Sequence, residues 1–178
     1  NFNSNIWHGY NNPLEVKKIC NNWNLFPSLT YRVLSYLSSA EFASYLSEFI
    51  EDTLQPDIGL HGGGWHIHSN GGNLNPHLDY SIHPKLKLQR KLNIIIYLSE
   101  FMTDKMGGEL GFWSDDNHSP GELVKSVSPI FNRAVIFDTT QNSWHGMVSP
   151  VICPPDIYRQ SMAVYYLCDV PEDADSHE

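Results

Sequence analysis

Leu92-Asn93-Ile94-Ile95-Ile96-Tyr97-Leu98 is the stretch on which the fold turns. β-Branched and aromatic residues dominate it, and it is short enough to be a single buried strand. Ser161–Leu167 has the same character. Working outward from these two, shorter apolar runs occur at Trp65–His68, Asn75–Tyr80, Glu109–Trp113, Leu123–Val127, Ala134–Asp138 and Trp144–Val148, with Gly, Pro, Asn and Asp between them. Many short strands punctuated by turn residues predict an all-β sandwich or jelly roll from about residue 59 onward.

The N-terminal part has a different period. Pro13 followed by Leu14, Val16, Ile19 and Cys20 predicts a short helix with Pro in its first turn. From Ser28 to Gln55 the pattern is helical: Phe42, Tyr45, Leu46 and Phe49 recur at three- and four-residue steps, Ser38 or Ser39 caps, and Pro56 stops the helix. The helical part is too small to hold a core of its own. The expectation is therefore one α+β domain over residues 1–178, predominantly β, with a helical support at 1–58 packed on one side of a double-stranded β-helix (jelly-roll) core at 59–169.

Composition excludes several function classes. The chain has 178 residues, 41% hydrophobic and 12% aromatic, which is incompatible with a disordered chain. Its net charge of −9 argues against a nucleic-acid surface, which needs clustered Lys and Arg. The one basic cluster, Lys85, Lys87, Arg90 and Lys91, reads first as a solvated loop. No apolar run approaches the ~18 residues that span a bilayer, and no leader peptide is visible. Cys20, Cys153 and Cys168 are widely spaced and odd in number, so neither a zinc pattern nor a disulfide framework is expected, and a reducing, cytoplasmic setting is. The chain begins at Asn1 without Met, which fits a trimmed chain or part of a longer one.

His77-Leu78-Asp79 carries the chemistry. Two ligands two residues apart share one face of a strand, and the distant His145 can complete a two-histidine, one-carboxylate set with open coordination positions. Imidazole and carboxylate suit Fe(II). Arg159-Gln160-Ser161 opens the last apolar run, and a buried guanidinium can grip a carboxylate with two parallel hydrogen bonds. Ser161 shares that face. The plain alternatives are a surface His-Asp pair, a core histidine, a structural arginine paired with Asp156, and a tyrosine at 97 that is only core.

The order of these residues resembles the Fe(II)/2-oxoglutarate-dependent dioxygenases, especially their prolyl-hydroxylase-like branch. The resemblance covers roughly residues 59–169 and includes Arg90–Ser99, Met106-Gly107-Gly108-Glu109-Leu110, Pro129–Phe137, Trp144-His145-Gly146 and Tyr158-Arg159-Gln160-Ser161. It implies His77, Asp79 and His145 as iron ligands, and Arg159 and Tyr97 as partners of the distal carboxylate of 2-oxoglutarate. Ser161 and His68 are further contacts, His68 standing where many relatives have a tyrosine. It also implies that Fe(II), 2-oxoglutarate and O₂ are required, with ascorbate a possible addition. The reaction would be hydroxylation of a C–H bond with release of succinate and CO₂. A prolyl residue, peptidyl or free, is the first expectation for the substrate. A small-molecule or peptidyl substrate is expected as partner, with no nucleic acid and no membrane, and the oligomeric state stays open. The alternatives are a non-catalytic metal-dependent binding module on the same fold, and a zinc hydrolase.

Further expectations concern the remaining polar residues. His66 shares a strand face with His68 but is not needed as a ligand. His61, His83 and His118 fall in loops, with surface placement as the default. Ser81–Gln89 is long for a strand connection. With Gly71-Gly72 it predicts a mobile rim over the metal, from which Lys85 and Lys87 touch substrate.

Overall fold

A computed structural model describes residues 1–140 and 142–171. The strands are β1 (His8–Asn11), β2 (Glu15–Cys20), β3 (Gln55–Pro56), β4 (Gly64–His68), β5 (Asn73–Leu74), β6 (Gln89–Tyr97), β7 (Leu110–Asp115), β8 (Pro120–Val127), β9 (Ala134–Asp138), β10 (His145–Met147) and β11 (Arg159–Cys168). The α-helices are α1 (Ser28–Leu37) and α2 (Ala40–Ile50). The larger sheet runs β1-β2-β4-β11-β6-β9, with β3 added on β11 and β5 on β2. The smaller sheet runs β10-β7-β8. All strand pairings among the described residues are antiparallel. This is the predominantly β jelly roll that the sequence predicts.

Side-chain alternation on β11 and β6 divides the molecule. Met162, Val164, Tyr166 and Cys168 of β11 and Leu92 and Ile94 of β6 point to the back of the sheet. There they pack with Leu34 and Leu37 of α1 and Ala43 and Leu46 of α2. Each fully buried side chain of this size contributes about 1.5–3 kcal/mol. The Tyr166 hydroxyl reaches the helical layer and donates to Leu37 O at 2.8 Å. The intervening residues, Arg159, Ser161, Ala163 and Tyr165 with Asn93 and Ile95, face the other way, into a cavity between the two sheets.

Several local expectations are corrected. Leu14–Cys20 does not form a helix: Glu15–Cys20 is β2, in a hairpin with β1 and paired with β4. Asn12 Oδ1 accepts from the N–H groups of Leu14 and Glu15, so Asn12-Pro13 is an Asx-type turn and not a helix start. The long helix is two helices. Ser39 caps α2 by accepting from Phe42 N, and α2 ends at Ile50, where Glu51 adopts a left-handed conformation with φ 57°. Pro56 belongs to β3 and stops nothing.

Asn75–Tyr80 is not a continuous strand: after β5 only His77 makes a bridge, opposite His145. Pro76 has no N–H with which to continue a ladder.

The expected rim is also different. The segment after Asp79 is closed by an Ile82–Gln89 bridge and by His83 N donating to Leu88 O. His83 is buried, not on the surface, and its Nδ1 accepts from the N–H groups of Lys85 and Leu86. Gly71 and Gly72 are pinned to Val151 by two backbone hydrogen bonds of 2.8 Å. Arg90 separates from the solvated cluster: it is 2% exposed, while Lys85 and Lys87 are exposed.

Candidate metal and cosubstrate site

Strand β10 and the His77 segment lie side by side. His77 N donates to His145 O at 2.9 Å, and His145 N donates to His77 O at 3.1 Å. The two imidazoles project from one side of this bridge with ring centroids 4.5 Å apart. Residue 146 must be glycine for the segments to lie so close. A Cβ there would stand 2.7 Å from Pro76 N and 2.8 Å from the Asn75 carbonyl group. Phe137 of β9 packs on the His145 ring at 4.9 Å and fixes it from the second side.

The histidine tautomers follow from the backbone. His77 Nδ1 lies 2.8 Å from Asn75 O, and His145 Nδ1 lies 2.8 Å from Ser143 O. A carbonyl can only accept, so each Nδ1 carries the proton and each Nε2 presents a lone pair. Both Nε2 atoms face Asp79, His77 at 3.8 Å from Oδ1 and His145 at 3.5 Å from Oδ2. One ligand atom from each residue fits within 4.8 Å of the others, which suits a single divalent ion. Burial, then the neighbouring His145, lowers the His77 pKa, so the imidazole stays neutral as a ligand must be.

Asp79 is held from its other side. Tyr165 donates its hydroxyl to Asp79 Oδ2 at 2.9 Å. The Arg90 guanidinium stacks over the Tyr165 ring at 4.1 Å and donates to His61 O at 2.6 Å. Burial, then the Asp79 charge, holds the Tyr165 phenol well above its ordinary pKa, so it remains a donor. Neither Tyr165 nor Arg90 was expected at the site. The signal for Tyr165 lay in the alternation Arg159, Ser161, Ala163, Tyr165, which puts it on the arginine's face.

The opposite end of the cavity is built around Arg159. The residue is buried, and its Nε donates to Gly108 O at 2.7 Å. Gly108 has φ 73°, and a Cβ there would come within 2.7 Å of Arg159 Cδ. His68 stands directly across the ladder from Arg159, and Ser161 stands across from Tyr97 and His66. The guanidinium lies 5.0 Å from the Tyr97 ring centroid. The Tyr97 hydroxyl and both ring nitrogens of His68 are buried without a well-formed hydrogen bond among the described residues, although the Tyr97 hydroxyl has the Arg159 guanidinium beside it. Orphaned polar atoms beside a buried cation are costly unless a ligand completes them. A carboxylate fits: it accepts from the guanidinium and from the tyrosine hydroxyl. Burial and the Arg159 charge depress the His68 pKa well below its usual value, which keeps this end from gaining a second cation.

Both ends open into one cavity of about 540 Å³. Its lining includes His77, Asp79, His145, Arg159, His68 and Ser161, and also Tyr10, Leu14, Glu15 and Lys17 from the N-terminal hairpin. Lys85 and Lys87 are not among the lining residues; the lysine that lines the cavity is Lys17. His66 adds a neutral wall, its pKa pushed down to about 3, chiefly by burial. His61, expected in a surface loop, also lines it.

The chain is similar to known proteins in sequence family and in fold. The family model described as the 2OG-Fe(II) oxygenase superfamily matches residues 63–167, more than half of the chain. No curated protein sequence matches this chain. Among solved structures the fold is similar to a Pseudomonas putida prolyl-4-hydroxylase, with a TM-score of 0.62 at 15% identity over 93% of this chain and 78% of that one. A Trichoplax adhaerens prolyl hydroxylase, in complex with a hypoxia inducible factor oxygen degradation domain peptide fragment, gives 0.59 at 16% identity over 92% and 71%. The viral collagen prolyl hydroxylase of Paramecium Bursaria Chlorella virus-1, a 2OG complex, gives 0.50 at 13% identity over 86% and 78%. At these identities the likeness speaks for the fold. Among the described residues no helix is long and apolar enough to cross a membrane.

Proposed function

The chain belongs to the 2OG-Fe(II) oxygenase superfamily, and from that premise we propose that it hydroxylates a C–H bond of a peptidyl substrate, with a prolyl residue as the first choice. As a member of the family it is a 2-oxoglutarate-dependent dioxygenase, with Fe(II) and 2-oxoglutarate as its cofactors. The observation that carries the residue assignment is the meeting, in one cavity, of a His-Asp-His ligand set with a buried arginine surrounded by unpaired polar atoms.

In this reading His77 Nε2, His145 Nε2 and the Asp79 carboxylate hold the iron, and Arg159, Tyr97 and Ser161 hold the distal carboxylate of 2-oxoglutarate, with His68 beside them. Iron held there would supply the oxidising chemistry, using O₂ and 2-oxoglutarate and giving succinate and CO₂ as coproducts. The protein's part is placement. The backbone carbonyls at Asn75 and Ser143 lock both imidazoles as neutral donors, and Phe137 fixes one ring. Arg159 orients the cosubstrate by charge and by planar geometry. The sheet walls keep bulk water from the cosubstrate end, which strengthens each of these contacts.

Support for a peptidyl prolyl substrate comes from two sides. The Trichoplax adhaerens prolyl hydroxylase carries a peptide fragment on a similar fold. The cavity here lies within the roughly 300–1,000 Å³ range of ligand sites and is bordered by the β1–β2 hairpin, an edge past which a chain can run. We read residues 1–178 as one domain, since β2 of the N-terminal segment is built into the main sheet. Cytoplasmic placement fits three buried free cysteines. Family membership favours this reading over a zinc hydrolase, and Fe(II)-dependent succinate formation separates it from a non-catalytic binding module on the same fold.

The test is incubation of the protein with Fe(II), 2-oxoglutarate, O₂ and a set of proline-containing peptides, with succinate and peptide mass followed together. The reading expects a peptide that gains one oxygen atom in step with succinate. Succinate formation coupled to oxidation of a free small molecule only would overturn the peptidyl choice.

A further inference from the structure

Tyr165 lies on the cavity face of β11, beside Asp79, and its hydroxyl bond to Oδ2 at 2.9 Å is a side-chain contact made directly to that carboxylate. The ring is held on one face. Arg90 covers it at 4.1 Å, and Arg90 is itself tied to His61 O at 2.6 Å and bounded by Gly62, where a Cβ would come within 3.1 Å of Nη2. Arg90 Nη1 lies 3.9 Å from Asp79 Oδ1, too far for a hydrogen bond, so it does not occupy that oxygen. The two carboxylate oxygens are therefore unequal: Oδ2 is engaged by the tyrosine, and Oδ1 is not.

We propose that Tyr165 is the positioning residue for the metal-binding carboxylate, fixing the plane of Asp79 and reserving one oxygen for the ion. This rests on the reading of His77, Asp79 and His145 as the metal ligands. A carboxylate free to rotate can chelate through both oxygens and occupy an additional coordination position. Held by the tyrosine, it uses one oxygen and leaves the position open for cosubstrate. Outer-sphere partners of this kind change metal affinity by roughly 10–100-fold when removed.

The neighbouring tyrosine provides the control. Tyr166 points to the back of the same strand and bonds Leu37 O in the helical layer, so Tyr166→Phe removes a buried hydroxyl without touching the cavity. The experiment titrates the metal-free wild type, Tyr165→Phe and Tyr166→Phe proteins with Mn(II). It also records the visible absorption of their Co(II) forms, which reports coordination number. The expected result is Mn(II) affinity lower by about 10-fold or more in Tyr165→Phe alone, since an untethered carboxylate must be ordered on binding, with a Co(II) spectrum altered from that of wild type. Tyr166→Phe should match wild type in both. Wild-type affinity together with a wild-type Co(II) spectrum in Tyr165→Phe would overturn the proposal. Absence of Mn(II) binding by the wild type would instead overturn the ligand assignment, and this proposal with it.

Discussion

His77 and His145 face each other across a single antiparallel bridge, each donating its N–H to the other's carbonyl at 2.9 and 3.1 Å. Residues far apart in the chain are thus set in register by two backbone bonds, with Gly146 allowing the approach. Gly146→Ala should drive the Asn75–Pro76 backbone off β10, because the atoms a Cβ meets belong to backbone and cannot rotate away. We expect a loss of about 1–3 kcal/mol in stability, typical of overpacking, and a larger proportional loss of Mn(II) affinity. Urea unfolding and metal titration on the same preparation measure both. Unchanged metal affinity would mean that the bridge does not set the ligand geometry.

Arg159 and Tyr97 should contribute unequally to cosubstrate binding. Arg159→Ala removes a buried charge partner and is expected to weaken 2-oxoglutarate binding by about 2–5 kcal/mol. Tyr97→Phe removes one hydroxyl that has no well-formed hydrogen bond without ligand, and should cost about 0.5–3 kcal/mol. Calorimetry with the Mn(II)-loaded protein under anaerobic conditions separates the two. Equal affinity in wild type and Arg159→Ala would place the cosubstrate elsewhere.

Acid should destabilise the fold through His66 and His68. Both are held neutral by burial, His66 with its pKa at about 3 and His68 well below the usual value. Unfolded histidines titrate near 6.5, so between 6.5 and the folded value the unfolded chain binds more protons. The stabilisation is full above about pH 6.5 and is lost as pH falls, at up to about 1.4 kcal/mol per pH unit for each group. His66→Gln should flatten this dependence between about pH 6.5 and about pH 4, as read from urea midpoints of the metal-free protein. A slope identical to wild type would assign the acid sensitivity to other residues.

The sequence disclosed those parts of the fold whose information is local. Leu92–Leu98 and Ser161–Leu167 became β6 and β11 because their composition suits nothing but a buried strand, and the jelly roll follows from their neighbours. His77, Asp79 and His145 could be grouped by ligand chemistry even though Asp79 lies off any ladder. The N-terminal hairpin could not be read. Asn12-Pro13 looks like a helix start, and only pairing with β4, far along the chain, makes Glu15–Cys20 extended. Arg90 was hidden for a similar reason. Next to Lys85, Lys87 and Lys91 it looks solvated, and its burial depends on stacking over Tyr165 from a distant strand.

The central claim is that His77, Asp79 and His145 form one iron site that drives 2-oxoglutarate turnover. The most direct measurement is succinate formation from 2-oxoglutarate under O₂ by wild type and Asp79→Ala, each with and without added Fe(II), with folding checked by circular dichroism. The account predicts Fe(II)-dependent succinate from wild type and none from a folded Asp79→Ala protein. Succinate from Asp79→Ala at the wild-type rate would contradict it.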